Sequence, residues 1–157
     1  MTELEIDLPT RRETRRFGAR LASVLRPGDV VFLEGPLGAG KTFLARAIAR
    51  GLGVPEREPI TSPTFTLVHE IDTGRLAITH ADLYRLDDPG ELDLLGLPDA
   101  LSRSIGLVEW GARFAHAIAT DGVVLTISGR DEAGGRRARL APRGPRGEAI
   151  VSGLAAR

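Results

Sequence analysis

Asp29-Val-Val-Phe-Leu-Glu34 runs straight into Gly35-Pro36-Leu37-Gly38-Ala39-Gly40-Lys41-Thr42, and the reading of this junction decides the fold. The first stretch is a continuous apolar run, as a parallel strand shows when helices cover both its faces. The second matches G-x-x-x-x-G-K-[ST], and a helix is predicted from Lys41 to about Arg50, stopped by Gly51 and Gly53. Each fixed position has a physical reason. Glycines let backbone N–H groups turn inward around an anion where a Cβ would obstruct. The helix start aims its partial positive charge at the same anion. The Lys41 ammonium reaches β- and γ-phosphates, and the Thr42 hydroxyl suits Mg²⁺. From average residue usage, a chance match in a chain this long has odds on the order of one in a few hundred. Lys41 is also the only lysine among 21 basic residues. It marks a position where a compact ammonium fits and a planar guanidinium does not.

Working outward, Leu4, Ile6 and Leu8 alternate with acids, which predicts a short strand with one wet face. Thr10-x-x-Glu13 reads as a capping box, and Phe17, Leu21 and Leu25 follow as the apolar stripe of a helix ended by Pro27-Gly28. Downstream, 65–71 and 76–81 read as strands paired around Asp72-Thr73-Gly74. A short helix is expected over 91–97, an apolar strand over 105–109, a helix around 113–119 and a strand over 123–128. A weaker strand is expected near 137–140. Strand and helix alternate, so the expected class is α/β: one P-loop NTPase domain over 1–157, with a mixed, largely parallel central sheet flanked by helices. The Arg-, Gly- and Pro-rich tail from about 141 reads as poorly ordered.

Composition narrows the function. The 157 residues are 42% apolar and 27% charged, with no cysteine and net charge zero. That excludes a disulfide scaffold and a thiolate metal site. No apolar run approaches bilayer length, and MTELEIDLPT lacks the layout of a signal peptide, so a cytoplasmic protein without membrane contact is expected. Zero net charge gives no global case for nucleic-acid binding. Arg130, Arg136, Arg137, Arg139, Arg143 and Arg146 crowd near the C-terminus, which reads as a solvated end. The chain has no Asn and no Gln. A guanine-reading Asn-Lys-x-Asp is therefore absent, as is a Gln side chain to orient attacking water. An ATP-hydrolysing enzyme, a small-molecule kinase with 130–139 as its lid, and a nucleotide-gated interaction module stay open.

A P-loop needs an acid for magnesium at the end of a neighbouring apolar strand. Asp82 and Glu109 both stand in such places. His80 shares a strand face with Asp82 by two-residue alternation, and is either an orienting group for that acid or a half-buried structural histidine. Tyr84 and Arg85 either stabilise the turn after Asp82 or face a partner. Trp110 reads as packing, close enough to Glu109 for its fluorescence to report on the site. His69 and His116 have no company suggesting a metal.

With these residues in place, the chain resembles the TsaE (YjeE) family, the ATPase subunit of bacterial tRNA threonylcarbamoyladenosine synthesis. The resemblance rests on Leu37-Gly-Ala-Gly-Lys-Thr42, Thr61-Ser-Pro-Thr-Phe65, His80-Ala-Asp-Leu-Tyr-Arg85, Glu91 with Leu95-Gly-Leu97, and Val108-Glu-Trp110. Thr14 with Gly18 and Gly134-Gly-Arg136 are weaker family features. It implies an ATP- and Mg²⁺-dependent ATPase that acts through the TsaB–TsaD pair and reaches tRNA only through that complex. Gly35, Pro36, Leu37, Gly38, Ala39, Gly40, Lys41, Thr42 and Phe43 would cradle the nucleotide, with Thr14 and Arg136 approaching it. Thr42 and Glu109 would ligate magnesium, with Asp82 the Walker B-like acid acting through a metal-bound water. Lys41, Asp82, Glu109 and a γ-phosphate-sensing Thr64 would form the catalytic set. Pro36 departs from the family pattern, which has an acid there, and removes one N–H donor from the loop.

Overall fold

The computed structural model describes residues 2–63, 67–129 and 134–156. The elements in chain order are β1 (Leu4–Leu8), α1 (Arg11–Val24), β2 (Val30–Glu34), α2 (Lys41–Gly51), β3 (Val68–Asp72), β4 (Ala77–Asp82), α3 (Glu91–Leu94) and α4 (Leu97–Ser102). There follow β5 (Ile105–Glu109), a 3-10 turn (Ala112–Phe114), α5 (Ala115–Ile118), β6 (Gly122–Ile127), β7 (Arg136–Arg143) and α6 (Gly144–Ala155).

The apolar strand β2 lies fourth in a seven-stranded sheet ordered β1-β7-β6-β2-β5-β4-β3. β6, β2, β5 and β4 run parallel, while β3 and β7 pair antiparallel with their neighbours and β1 antiparallel with β7. The sheet is thus mixed, with the parallel block holding the glycine-rich loop. Alternation along β2 explains why the whole strand is apolar. Val31 and Leu33 enter a core with Phe17, Leu44 and Ile150 from α1, α2 and α6. Val30 and Phe32 enter a second core with Leu92, Leu101 and Ile118 from the helices of the other face.

Local chemistry starts and stops the helices. Thr10 Oγ1 accepts the Glu13 backbone N–H at 3.1 Å, fixing the start of α1. α1 and α2 then pack very closely, because a Cβ on Gly18 would lie 2.6 Å from that of Ala47. The helix expected over 91–97 is two helices. Gly96, at φ 68°, turns the chain between α3 and α4.

The tail differs most from expectation. β7 continues to Arg143, and residues 144–155 form α6 instead of a poorly ordered end. Pro145 sits in the first turn of α6, where its missing N–H costs nothing, and Ile150, Val151 and Leu154 are buried against the α1 side. Arg146 anchors the helix. Its guanidinium donates to Asp29 at 2.7 and 2.8 Å and to the Val24 carbonyl at 2.8 Å. Among the described residues no helix is long and apolar enough to cross a membrane.

Candidate functional site

β2 ends where its parallel neighbours end, so the loop after Glu34 opens over the carboxyl edge of the sheet. Gly35, at φ 142°, is fixed as glycine by crowding as well as by conformation, since a Cβ there would lie 2.5 Å from the Ile127 carbonyl oxygen. Gly40, at φ 108°, starts α2 without a side-chain cap. The Arg136 guanidinium lies against the Gly40 turn and donates to the Gly38 carbonyl at 3.4 Å.

Lys41 is folded back on its own loop. Its Nζ donates to the carbonyls of Gly35 at 2.7 Å and Pro36 at 2.9 Å. The same ammonium lies 4.2 Å from the Trp110 ring centroid, and that ring packs against Tyr84 at 4.9 Å. Trp110 is therefore a wall of the site rather than only packing, held there by a left-handed backbone at φ 58°. Burial pulls the Lys41 pKa below its usual range, against the opposing pull of Glu109, Glu34 and Asp82. Glu34 is pushed the other way by burial, although its carboxylate accepts the Ala112 N–H at 3.2 Å.

Asp82 and Glu109 are directly paired in register at the ends of β4 and β5. They are held differently. Glu109, 2% exposed, takes the Thr42 hydroxyl on Oε1 at 2.9 Å and His80 Nε2 on Oε2 at 2.6 Å. Asp82 takes the Ser62 hydroxyl at 2.8 Å and the Tyr84 backbone N–H at 3.0 Å. His80 does share a face with Asp82, but its contact is Glu109 on the next strand. Strand alternation cannot show such a cross-strand diagonal. Thr42 and Glu109 present hard oxygens side by side, the donor chemistry Mg²⁺ prefers, so these residues fit that ion. Asp82, one strand over, fits a role one water removed.

Thr42, Glu109, Asp82, Ser62 and Tyr84 line an open cleft of about 540 Å³, within the range of small-molecule sites. Leu37, Gly38, Gly40, Lys41, Thr42, Phe43 and Arg136 border it together with Asp82 and Glu109. Thr14 is buried in α1 with its hydroxyl on the Thr10 carbonyl, and the cleft wall at that helix end is Arg11. Thr64 lies outside the described residues. Ser62, two positions earlier, is tied to Asp82.

Four contributors escape a reading of the sequence. Glu34 closes an apolar strand just as Asp82 and Glu109 do, so the signal was present. Ser62 stood inside the Thr61-Ser-Pro-Thr-Phe65 motif with no role of its own, and Arg11 and Arg113 carried no signal. Arg113 donates to the carbonyls of Leu83, Tyr84 and Leu86 at 2.6, 3.2 and 2.6 Å, bracing the turn after Asp82.

Replacing His80 by Leu strips Glu109 Oε2 of its buried donor. Stability should fall by about 1–3 kcal/mol. Thermal unfolding reads this directly, and an unchanged Tm would mean that Glu109 has found another donor.

Comparisons with known proteins converge on one family. The profile described as "Threonylcarbamoyl adenosine biosynthesis protein TsaE" matches residues 8–138. Similar curated proteins carry the name tRNA threonylcarbamoyladenosine biosynthesis protein TsaE. The Nostoc sp. protein is 40% identical over 143 residues, spanning 88% of this chain and 85% of its own. The Mycobacterium leprae protein is 44% identical over 116 residues, spanning 68% and 71%. The Rickettsia bellii protein is 38% identical over 125 residues, spanning 80% and 86%. Among solved structures, Bacillus subtilis YdiB matches with a TM-score of 0.80 at 27% identity, covering 99% of this chain and 95% of that one.

Proposed function

The chain belongs to the TsaE family of threonylcarbamoyl adenosine biosynthesis proteins, and from that premise we propose that it binds and hydrolyses ATP to drive tRNA threonylcarbamoyladenosine formation through the TsaB–TsaD complex. One observation carries the ATPase part: Lys41 of the glycine-rich loop and the Thr42–Glu109 pair face the same cleft.

The chain's own residues have definable tasks. Backbone N–H groups of the loop and the start of α2 bind the phosphates. Lys41 must exchange the Gly35 and Pro36 carbonyls for β- and γ-phosphate oxygens, a stronger partner for a cation. His80 holds Glu109 so that Oε1 stays beside the Thr42 hydroxyl, and the two would hold Mg²⁺. That ion, when bound, neutralises charge developing on the phosphates. Asp82, fixed by Ser62 and Tyr84, faces the cleft where water would enter. With no Gln in the chain and with Trp110 as an apolar wall, the attacking water is poorly oriented. Turnover by the chain alone is therefore slow, and docking on the partners completes the site.

The test is ATP hydrolysis by the pure chain, alone and with TsaB–TsaD and tRNA. Slow basal turnover that rises with the partners, with phosphate released to water, is the expected result. Partner-independent transfer of phosphate to a small acceptor would replace this reading with a kinase. Binding without turnover in either condition would make the chain a nucleotide-gated interaction module.

A further inference from the structure

The chain is neutral as a whole, yet α1 is not. Within Arg11–Val24 it carries Arg11, Arg12, Arg15, Arg16 and Arg20 against one acid, Glu13. Some exposed arginines elsewhere meet carboxylates, Arg103 with Asp99 and Glu70 and Arg137 with Asp7 and Glu5, while Arg26, Arg57 and Arg75 stand singly rather than in a cluster. Among the described residues Arg11, Arg12 and Arg15 have no acidic partner. Arg11 and Arg15 lie instead over the Phe43 ring, 5.6 and 5.5 Å from its centroid.

Arg15 and Phe43 border a groove of about 410 Å³ between α1 and α2, and Arg12 stands one turn before Arg15 on the same helix. Its floor is Ala19, Ala47 and Gly51, small because the two helices touch there. Its walls carry Arg15, Arg46 and Arg50. Two of those guanidiniums are pre-set by backbone carbonyls: Arg46 Nε donates to Ile60 at 3.0 Å, and Arg50 donates to Pro55. Each keeps further N–H groups of its planar fork, which suits phosphate oxygens. The one acid at the edge, Glu56, is 92% exposed and reaches Arg50 only at 3.7 Å. Phe43 borders both this groove and the nucleotide cleft, so the two adjoin at that ring.

We propose that the α1–α2 groove binds the phosphodiester backbone of RNA, a deepening of the function above that rests on it. A protein interface commonly sets a large aromatic anchor beside its arginines. The exposed large apolar residues, Leu37, Tyr84 and Leu94, all lie elsewhere. A phosphate backbone needs only fixed positive charge.

Fluorescence anisotropy of the whole chain with a labelled, unmodified tRNA transcript, across a salt series, tests this. Wild-type affinity should fall with salt, by about 0.7–0.9 log units per log unit of salt for each phosphate contact. The Arg12→Glu/Arg15→Glu pair should bind at least tenfold more weakly, with a slope shallower by about 1.5. Arg12→Ala/Arg15→Ala should show the same direction with a smaller loss. Polyglutamate of matched charge should not displace the tRNA. Basal ATP hydrolysis of both variants should stay at the wild-type rate, which also shows that they fold. Unchanged RNA affinity and slope overturn the proposal. So does intact RNA binding with lost binding to TsaB–TsaD, which would make the groove an acidic-protein contact. If the wild type binds tRNA through these arginines but neither hydrolyses ATP nor supports modification, the proposed function falls and the groove stands.

Discussion

Lys41→Ala is expected to lower ATP hydrolysis by about 100- to 1,000-fold, the usual cost of removing one charge-stabilising donor from a phosphoryl-transfer site. The expectation comes from where the side chain stands. The Lys41 ammonium is held by two carbonyls of its own loop and the Trp110 ring, at the start of α2. No other lysine exists to replace it. Arginine should not rescue the loss, because a planar fork does not fit between phosphate oxygens as an ammonium does. The opposite is expected for stability. Burial lowers the Lys41 pKa, so the folded state disfavours the charged form. That cost is present in full at every pH below the folded pKa and fades as pH rises toward the unfolded one. Lys41→Met, which keeps the stem and drops the charge, should hold or raise Tm while losing nucleotide. Calorimetric titration with a non-hydrolysable ATP analogue and a thermal melt separate the two effects. Normal turnover in Lys41→Ala would end the phosphate-binding reading of the loop.

Arg146→Ala is expected to cost about 3 kcal/mol, read as a shift in denaturant midpoint. It leaves the Asp29 carboxylate, 2% exposed, with the Arg26 backbone N–H as its donor and no cation. The Asp29 contact also holds the Arg146 guanidinium above its ordinary pKa. Lysine should restore little, since one ammonium cannot meet both carboxylate oxygens and the Val24 carbonyl with the same geometry. A chain ending at Arg143 should not fold cooperatively. Ile150 and Leu154 are fully buried and Val151 nearly so, and burying such side chains contributes an amount comparable to a whole domain's stability. Retention of a sharp melt by the truncated chain would return the tail to the status of a loose end.

That tail shows where sequence reading stops. Its Arg, Gly and Pro content resembles a solvated terminus, because composition registers flexibility and charge. The partner that orders it, Asp29, is 117 positions away. The break at Gly96 is similar in kind: a glycine inside a helical pattern is ambiguous until its φ is known. The histidine is the sharpest case. Period-two alternation correctly put His80 on the Asp82 face, yet its 2.6 Å partner is Glu109, reached diagonally across two parallel strands.

The local signals, by contrast, were complete in themselves. An unbroken apolar run required a strand buried on both sides. The loop's glycines and single lysine required a tight turn into a helix start. Acids closing apolar strands required carboxylates at one sheet edge. These are set by neighbours within a few positions and by the periods of strand and helix, so the sequence alone determined the α/β class, the glycine-rich loop and the acids beside it. Strand order, the Glu109–His80–Thr42 alignment, the Trp110 wall, the arginine-lined groove and the anchoring of α6 were decided only in the tertiary structure. Each depends on side chains brought together from distant segments, where burial and hydrogen bonding choose among partners that the sequence leaves equivalent.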